Sequence, residues 1–337
     1  MTDFNLPTPD RDQRATVSEE FRSWVRERET SLARVFELGD VRQVRDELEL
    51  TQLELNERVS SLGDAAHAAH RAVVYPRLAP FFLRSPMLRR AHDKPLGHTG
   101  DFGVMRRVYR NQPCGVGVDA AVDAYGLSRQ ISSAVRFRPT VFLDVLERTI
   151  VQHGYARVAH IGCGPAWEAR ELLVQRPDLA RQIELVLVDR DDAALAECRR
   201  VLVQRGPDAM PVQCLRADVD ALLHPDAGVA AVIGRCELVW SGGLFSCIAP
   251  EQFQPHLQAM YDLLQPRGRL AVGNVALESP DRWLMEYVTD WFLHHRSLEE
   301  LERYAEALTP SPRSIRVERD PTGAHLFLTV QRPSAEA

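Results

Sequence analysis

The stretch that decides the fold of this chain runs from Val158 to Ala166 and reads Val158-Ala159-His160-Ile161-Gly162-Cys163-Gly164-Pro165-Ala166. The pattern is that of an apolar strand, a turn with two glycines and the start of a helix. The glycines allow the backbone to turn and a ligand to approach it, because they carry no Cβ. The first amides of the following helix point toward the polar end of such a ligand. The stretch therefore predicts a ligand-binding turn between a strand and a helix.

The alternation of strand and helix continues toward the carboxyl end of the chain. Amphipathic segments separate apolar runs at Arg157–Ile161, Glu184–Val188, Pro211–Leu215, Glu237–Trp240 and Arg269–Val275. Strands that alternate with helices predict βαβ units and a parallel sheet.

Two further strands are expected near the end of the chain, at Ser314–Glu318 and His325–Gln331. The segment between them, Arg319-Asp320-Pro321-Thr322-Gly323, has the residues of a turn, which predicts an antiparallel hairpin. The predicted fold class is α/β, with a Rossmann-like, doubly wound and mostly parallel sheet that ends in this hairpin.

The first 150 residues have a different pattern, which is helical almost throughout. Phe21, Trp24 and Val25 recur at helical spacing, and a second helical pattern runs from Val41 to Leu62. We therefore expect an all-α domain over residues 1–150, which would enclose a substrate as a lid. The α/β domain, over residues 151–337, would bind the cofactor.

Acidic residues follow the second and third predicted strands. Asp189 ends the second strand, where a carboxylate can bind two ribose hydroxyls. Asp218 follows the third strand and could accept a hydrogen bond from an adenine amino group, with Val219 against the ring. The fourth strand ends in Ser241-Gly242, at the edge of the sheet where reacting groups usually lie. Two glycines and two acids in this order predict a nucleoside ligand more strongly than a glycine turn alone.

With these motifs, residues 150–332 resemble class I S-adenosylmethionine-dependent methyltransferases. The resemblance implies that the glycine turn holds the methionine end of S-adenosylmethionine, that Asp189 holds its ribose and that Asp218 holds its adenine. An NAD-binding fold is disfavoured, because Ala166-Trp167 stands where G-x-G-x-x-G would have its last glycine. The predicted cofactor-binding residues are Gly162, Cys163, Gly164, Asp189, Arg190, Asp218, Val219, Ser241 and Gly242.

A second motif lies in the helical half of the chain. Pro95-Leu96-Gly97-His98-Thr99-Gly100-Asp101-Phe102 resembles a P-L-G-x-x-G-D-[YF] stretch of bacterial methyltransferase-like proteins. Those proteins are associated with 3-hydroxy fatty acid methyl ester signals. Proteins with similar helical domains include azetidine-2-carboxylate synthases, which cyclise S-adenosylmethionine itself. This resemblance implies an enzyme of bacterial secondary or signal metabolism.

The candidate catalytic residues are His160, Trp167, Tyr109, Tyr125 and Ser241. His160 stands where methyltransferases often carry an acid that helps to hold the ammonium group of the cofactor. A neutral imidazole, with a reference pKa of about 6.5, can instead accept a proton at the pH of the cell. Trp167 could place its ring face near the sulfonium, which is worth about 0.5–2 kcal/mol. The alternative for both residues is a structural role, in a strand end and in helix packing.

Three functions remain open from the sequence. The first is methyl transfer to a small carboxylate or hydroxyl acceptor, which Arg106, Arg107, Arg110 or Arg129 could bind. The second is an intramolecular cyclisation of S-adenosylmethionine to azetidine-2-carboxylate and methylthioadenosine. The third is a regulator that binds the cofactor without turnover.

The composition limits the binding partners and the cellular location that we expect for this protein. The net charge of −6, from 41 basic and 47 acidic residues, argues against a dedicated nucleic-acid binder and favours a small-molecule substrate. The six cysteines form no C-x-x-C pair, and no histidine pair has zinc-ligand spacing, so we expect free thiols and no metal site. The absence of any apolar run of about 18 residues predicts a cytoplasmic protein without a membrane span.

Overall fold

A single sheet of seven strands organises the part of the chain that the computed structural model describes, which is residues 17–202, 210–224, 226 and 228–334. The strands are β1 (Ala156–Ile161), β2 (Ile183–Asp189), β3 (Val212–Arg216), β4 (Cys236–Ser241), β5 (Leu264–Val275), β6 (Ser314–Arg319) and β7 (His325–Gln331). Their order is β3-β2-β1-β4-β5-β7-β6. Strands β1 to β5 pair in parallel, and β7 is antiparallel to both β5 and β6. The predicted doubly wound sheet with an antiparallel terminal hairpin is confirmed.

The sheet is covered on both faces, which explains its nearly continuous apolar strands. Successive residues of β2 point to opposite faces, so that Leu185 and Leu187 join one core cluster and Val186 and Val188 join the other. Helices pack on each cluster, as expected for a doubly wound fold.

Strand β5 begins earlier than the sequence predicts, at Leu264 instead of Arg269. The segment between them contains Pro266 and Gly268, which resemble a turn. In the structure the strand passes through this segment with a shift in its register against β4. An irregular strand of this kind is invisible to a pattern search, because the irregularity breaks the alternation of side chains.

Helices connect and flank the strands. In the first half of the chain they are α1 (Glu19–Leu38), α2 (Val41–Val59), α3 (Asp64–Phe82), α4 (Pro86–Asp93), α5 (Phe102–Arg110), α6 (Val118–Ser128) and α7 (Gln130–His153). In the second half they are α8 (Trp167–Gln175), α9 (Pro177–Ala180), α10 (Asp192–Leu202), α11 (Val229–Ile233), α12 (Pro250–Asp262), α13 (Arg282–Val288) and α14 (Leu298–Glu306). Among the described residues, no helix is both long and apolar enough to cross a membrane.

The chain divides into two compact units. The helical unit comprises Met1–Thr99, Asn111–Arg129 and Pro280–Phe292, and the α/β unit comprises Gly100–Arg110, Gln130–Ser279 and Leu293–Ala337. This division departs from the expected single boundary near residue 150. Helices α5 and α7 belong to the α/β unit, whereas α13, from the second half of the sequence, belongs to the helical unit.

The helical unit has a core of its own. Helix α13 packs against α2 and α3, and its Leu284, Tyr287 and Val288 are buried together with Trp24 of α1. Since α13 lies more than 150 residues after α6 in the sequence, periodicity alone could not assign it to this core.

Candidate functional site

The glycine turn after β1 has the backbone shape that the sequence predicts. Gly162 and Gly164 have φ values of +65° and +51°, in the left-handed region that glycine favours. A Cβ on Gly162 would lie 3.2 Å from the Cβ of Leu244, whereas a Cβ on Gly164 would meet no atom within 4 Å. Gly164 therefore has open space on the side where a Cβ would lie, at the carboxyl end of β1.

Asp189 lies directly beside this turn. The amide of Gly164 donates to Oδ2 of Asp189 at 2.7 Å, and the amide of Asp191 donates to Oδ1 at 2.9 Å. Each carboxylate oxygen keeps a lone pair that these amides do not use. The structure therefore places Asp189 against the glycine turn, where β1 and β2 end.

Asp218, the acid after β3, lies at the same edge of the sheet. Arg190 directly follows β2, and its Nη1 lies 3.8 Å from Oδ2 of Asp218. Asp218 is exposed and caps a short 3₁₀ helix, Val219–Leu223, by accepting a hydrogen bond from Asp220. Asp218, Val219 and Arg190 thus extend the edge from β2 toward β3.

The side chain of Cys163 points into the protein. It is buried, and its Sγ contacts the carbonyl oxygen of Gly164 at 3.7 Å, which the thiol of Cys198 also reaches at 3.3 Å. The neighbouring Cys198 thiol and burial raise the pKa of Cys163. Because its side chain is buried, Cys163 could contact a ligand only through its backbone.

Ser241 ties two strands together. Its hydroxyl is fully buried and donates to the carbonyl oxygen of Ile161 at 3.0 Å. The structure gives this hydroxyl a partner inside the sheet, which supports a structural role for Ser241 in place of the predicted catalytic one.

His160 is buried at the end of β1, with 2% of its surface exposed. Its Nδ1 has no hydrogen-bond partner. Burial lowers the pKa of His160, and the nearby carboxylates of Glu168 and Asp189 only partly oppose this effect. The lowered pKa leaves His160 uncharged at neutral pH, which is the form that a proton acceptor requires.

Trp167 and Tyr109 stack on each other, with ring centroids 5.3 Å apart and planes within 3°. The indole N–H of Trp167 donates to Glu171 at 3.0 Å. The hydroxyl of Tyr109 donates to Oε1 of Glu168 at 3.2 Å, and burial raises the pKa of this phenol well above its usual value. The structure thus joins these two candidates, although they lie in α8 and α5.

Two charged residues beside these side chains, Glu168 and Arg138, are not among the residues predicted from the sequence. Glu168, in the first turn of α8, is 3% exposed, and Arg138 of α7 lies against the bend Gly242–Gly243 that follows β4. A Cβ on Gly242 would lie 3.1 Å from Oε1 of Glu168, and one on Gly243 would lie 2.6 Å from the guanidinium of Arg138. Gly242, which is predicted to contact the cofactor, has no side chain and so leaves room for these two side chains. Glu168 could have been found from its place just after the glycine turn.

Tyr125 belongs elsewhere, and its predicted catalytic role is not supported. It is fully buried in the core of the helical unit, where its hydroxyl donates to Gln52 and the guanidinium of Arg129 lies 4.1 Å from its ring centroid. Arg129, a candidate for binding an acceptor, pairs with Glu49 at 2.5 Å. Buried aromatic residues at helical spacing are most often core residues, and Tyr125 follows that rule.

Within residues 17–202, 210–224, 226 and 228–334, no three His, Cys, Asp or Glu side chains are grouped to hold a metal ion.

We expect the free energy of unfolding to fall as the pH is lowered below about 6.5. Burial lowers the pKa of both His160 and His325 in the folded state, so the unfolded chain, with histidine pKa values near ~6.5, takes up protons first. The stabilisation is complete above that pH and is lost by up to about 1.4 kcal/mol per pH unit for each histidine below it. Urea unfolding at several pH values between 5 and 8 measures this slope.

His325→Gln provides the matched comparison for this slope, since it removes one of the histidines whose pKa is lowered by burial. The variant should show a shallower dependence on pH than the natural chain, whatever its stability at pH 8. Equal slopes for the two proteins would exclude His325 as a source of the effect.

Comparison with known proteins gives structural likeness only. No family model matches the chain, and no curated protein matches its sequence. A protein from Bordetella parapertussis, called a possible exported protein, aligns over 95% of this chain and 100% of its own, with a TM-score of 0.55 and 16% identity. At this identity the likeness concerns the fold, and it extends over both halves of the chain.

Two methyltransferase structures give weaker matches. The plantazolicin methyltransferase BamL, in complex with S-adenosylhomocysteine, has a TM-score of 0.48 and 10% identity over 75% of this chain and 97% of its own. The magnesium protoporphyrin IX methyltransferase of Synechocystis has a TM-score of 0.47 and 12% identity over 73% of this chain and 99% of its own.

Proposed function

We propose that the α/β unit binds S-adenosylmethionine and transfers its methyl group to a small carboxylate or hydroxyl acceptor, as a class I methyltransferase does. The observation that carries this proposal is the 2.7 Å hydrogen bond from Gly164 to Asp189, beside the free space where a Cβ of Gly164 would lie. The amino-acid end of the cofactor would then lie at the end of β1, and its nucleoside end at the ends of β2 and β3. The strand order and the antiparallel β7 support the same family, as the resemblance implies.

The residues present fit the cofactor. The methionine end would rest on the turn Gly162–Gly164, the ribose hydroxyls would donate to the free lone pairs of Asp189, and the adenine would lie near Asp218 and Val219. When bound, the sulfonium supplies a methyl group that is already activated for transfer. The chain itself has then mainly to align the acceptor and exclude water.

A second candidate is the intramolecular cyclase, which one observation favours. His160 is neutral, and its Nδ1 has no partner, next to the turn that would hold the methionine end. A neutral imidazole can take a proton from an ammonium group. In the cyclisation the amine loses this proton and attacks the γ-carbon, and the bond from that carbon to sulfur breaks to release methylthioadenosine.

One incubation separates these functions. The purified protein is mixed with S-adenosylmethionine, first alone and then with 3-hydroxydecanoate as a trial acceptor, and the products are identified by mass spectrometry. Adenosylhomocysteine together with a methylated acid supports the methyltransferase, and methylthioadenosine with azetidine-2-carboxylate in the first mixture supports the cyclase. If calorimetry detects no binding of S-adenosylmethionine, both proposals are overturned. Tight binding without any product from a wider set of acids would support a regulator.

A further inference from the structure

We propose that Glu168 and Arg138 form a two-point receptor for a zwitterionic α-amino-acid group, in which Glu168 accepts from the ammonium and Arg138 donates to the carboxylate. The inference rests on the proposed function, because the methionine end of S-adenosylmethionine is such a group. It assigns the recognition of this end to two side chains from α8 and α7, in addition to the backbone of the glycine turn.

Glu168 is a buried acid, and few groups around it compensate for the loss of contact with water. It is 3% exposed, and its one hydrogen-bond partner among the described residues is the neutral hydroxyl of Tyr109. No cation of the described chain forms an ion pair with it. A carboxylate buried in this way is costly unless a cation or several donors compensate it. An ammonium group would supply both the charge and the donors.

Arg138, in turn, lacks an anionic partner among the described residues. Its Nε is buried without a hydrogen-bond partner, and its Nη2 contacts the ring of His325 at 3.4 Å. Within the described residues no carboxylate pairs with it, and burial lowers the pKa of His325, so that ring is neutral and can only accept a hydrogen bond from the guanidinium. Arginine binds carboxylates through two parallel hydrogen bonds, which suits an α-carboxylate.

The two charges meet at one bend without pairing directly. The position of a Cβ on Gly242 lies 3.1 Å from Oε1 of Glu168 and 3.3 Å from Cδ of Arg138. Tyr109 interacts with both side chains. Among the described residues, Glu168 and Arg138 form no salt bridge with each other or with another charged side chain. An amino acid carries the two matching charges on groups bonded to one carbon, whereas a simple alcohol or acid matches at most one.

The place of the bend agrees with this ligand. Glu168 is the second residue of α8, the helix that begins at the glycine turn, and Gly242 follows β4, the neighbour of β1. The receptor therefore lies on the side of the turn away from Asp189 and β2. A ligand that places its ribose at Asp189 would extend its amino-acid end in this direction.

Three ligands that share the adenosine moiety and differ in the groups on its sulfur test the receptor. Calorimetric titrations compare S-adenosylmethionine, its decarboxylated form, which keeps the amine and the sulfonium, and 5′-methylthioadenosine, a neutral thioether without the amino-acid chain. Arg138→Gln should weaken binding of S-adenosylmethionine tenfold or more and leave the two ligands without a carboxylate unchanged. Glu168→Gln should weaken the binding of both ligands that carry the amine and leave the affinity for methylthioadenosine unchanged.

Two exposed residues of α7 provide matched controls. Arg148→Gln and Glu147→Gln remove one charge each at surface ion pairs with Asp144 and Arg176, and we expect all three affinities to stay the same. Unchanged binding of methylthioadenosine in the Arg138 and Glu168 variants also shows that they are folded. If either variant is unstable, Arg138→Lys and Glu168→Asp, which keep the charge, are titrated in its place and should show a smaller loss.

The outcomes distinguish the receptor from the proposed function. If the natural chain binds S-adenosylmethionine and the Arg138 and Glu168 variants bind it equally well, the receptor is wrong and the function stands. If each variant lowers the affinity for all three ligands by the same factor, the substituted side chain supports the fold and does not bind the amino-acid group. If the natural chain binds none of the three, the proposed function itself fails.

Discussion

Asp189→Ala should weaken the binding of S-adenosylmethionine by about 100-fold. The variant loses the acceptor for the ribose hydroxyls, and it also leaves the amides of Gly164 and Asp191 without the carboxylate that now holds them. Hydrogen bonds to a charged group are each worth about 1.5–3 kcal/mol, so the loss of the ribose contacts alone reaches about 3 kcal/mol. Release of the amide of Gly164 adds to this, because the turn that holds the methionine end loses its anchor.

Calorimetric titration of the purified variant measures this effect, with Asp178→Ala as the control. Asp178 is an exposed acid that pairs with Arg176, so its removal should leave the dissociation constant unchanged. Asp189→Asn keeps one acceptor oxygen and should fall between the natural chain and the alanine variant. A dissociation constant that does not change in Asp189→Ala would remove this residue from the site, and the proposed cofactor with it.

Gly273→Ala should lower the free energy of unfolding by about 3 kcal/mol, the upper end of the usual cost of overpacking. A Cβ at this position would lie 2.4 Å from the carbonyl oxygen of Gly242 and 3.1 Å from the ring of Phe327. Strand β5 cannot move away easily, because it is paired with β4 on one side and with β7 on the other. The atom that it would meet belongs to backbone, so no flexible side chain can yield.

Urea unfolding of the variant gives the free energy directly, and Gly63→Ala serves as its control. A Cβ on Gly63 would meet no atom within 4 Å, and its φ of −78° suits any residue, so that variant should lose no more than the ~1 kcal/mol that alanine costs at the N-cap of α3. Wild-type stability of Gly273→Ala would show that the bend at Gly242 shifts at little cost. That result would also weaken the fixed geometry on which the receptor at Glu168 and Arg138 depends.

The sequence predicted those parts of the fold that local pattern and chain order determine. The apolar runs located the strands, and the turn residues after Arg319 located the hairpin, because both signals lie within a few neighbouring residues. The pairing of Gly164 with Asp189 could also be anticipated, since the carboxyl ends of neighbouring parallel strands meet at one edge.

The remaining features depend on contacts between distant segments. Arg138 lies in the middle of an amphipathic helix, where most arginines are solvated, and only the packing of α7 brings it to Gly243. The pattern around Tyr125 is equally consistent with a core residue and with a site residue, and its burial decided between them. No single stretch of sequence contains the information for either position.

The three-part construction of the helical unit has a consequence for biosynthesis. Its core includes Leu284, Tyr287 and Val288, so a ribosome must translate almost 290 codons before this unit can close. Helices α1 to α4 and α6 therefore wait as an incomplete bundle, with apolar surface uncovered, while the strands of the sheet emerge. A gene truncated after codon 150 should accordingly yield an aggregating polypeptide and no autonomous helical module.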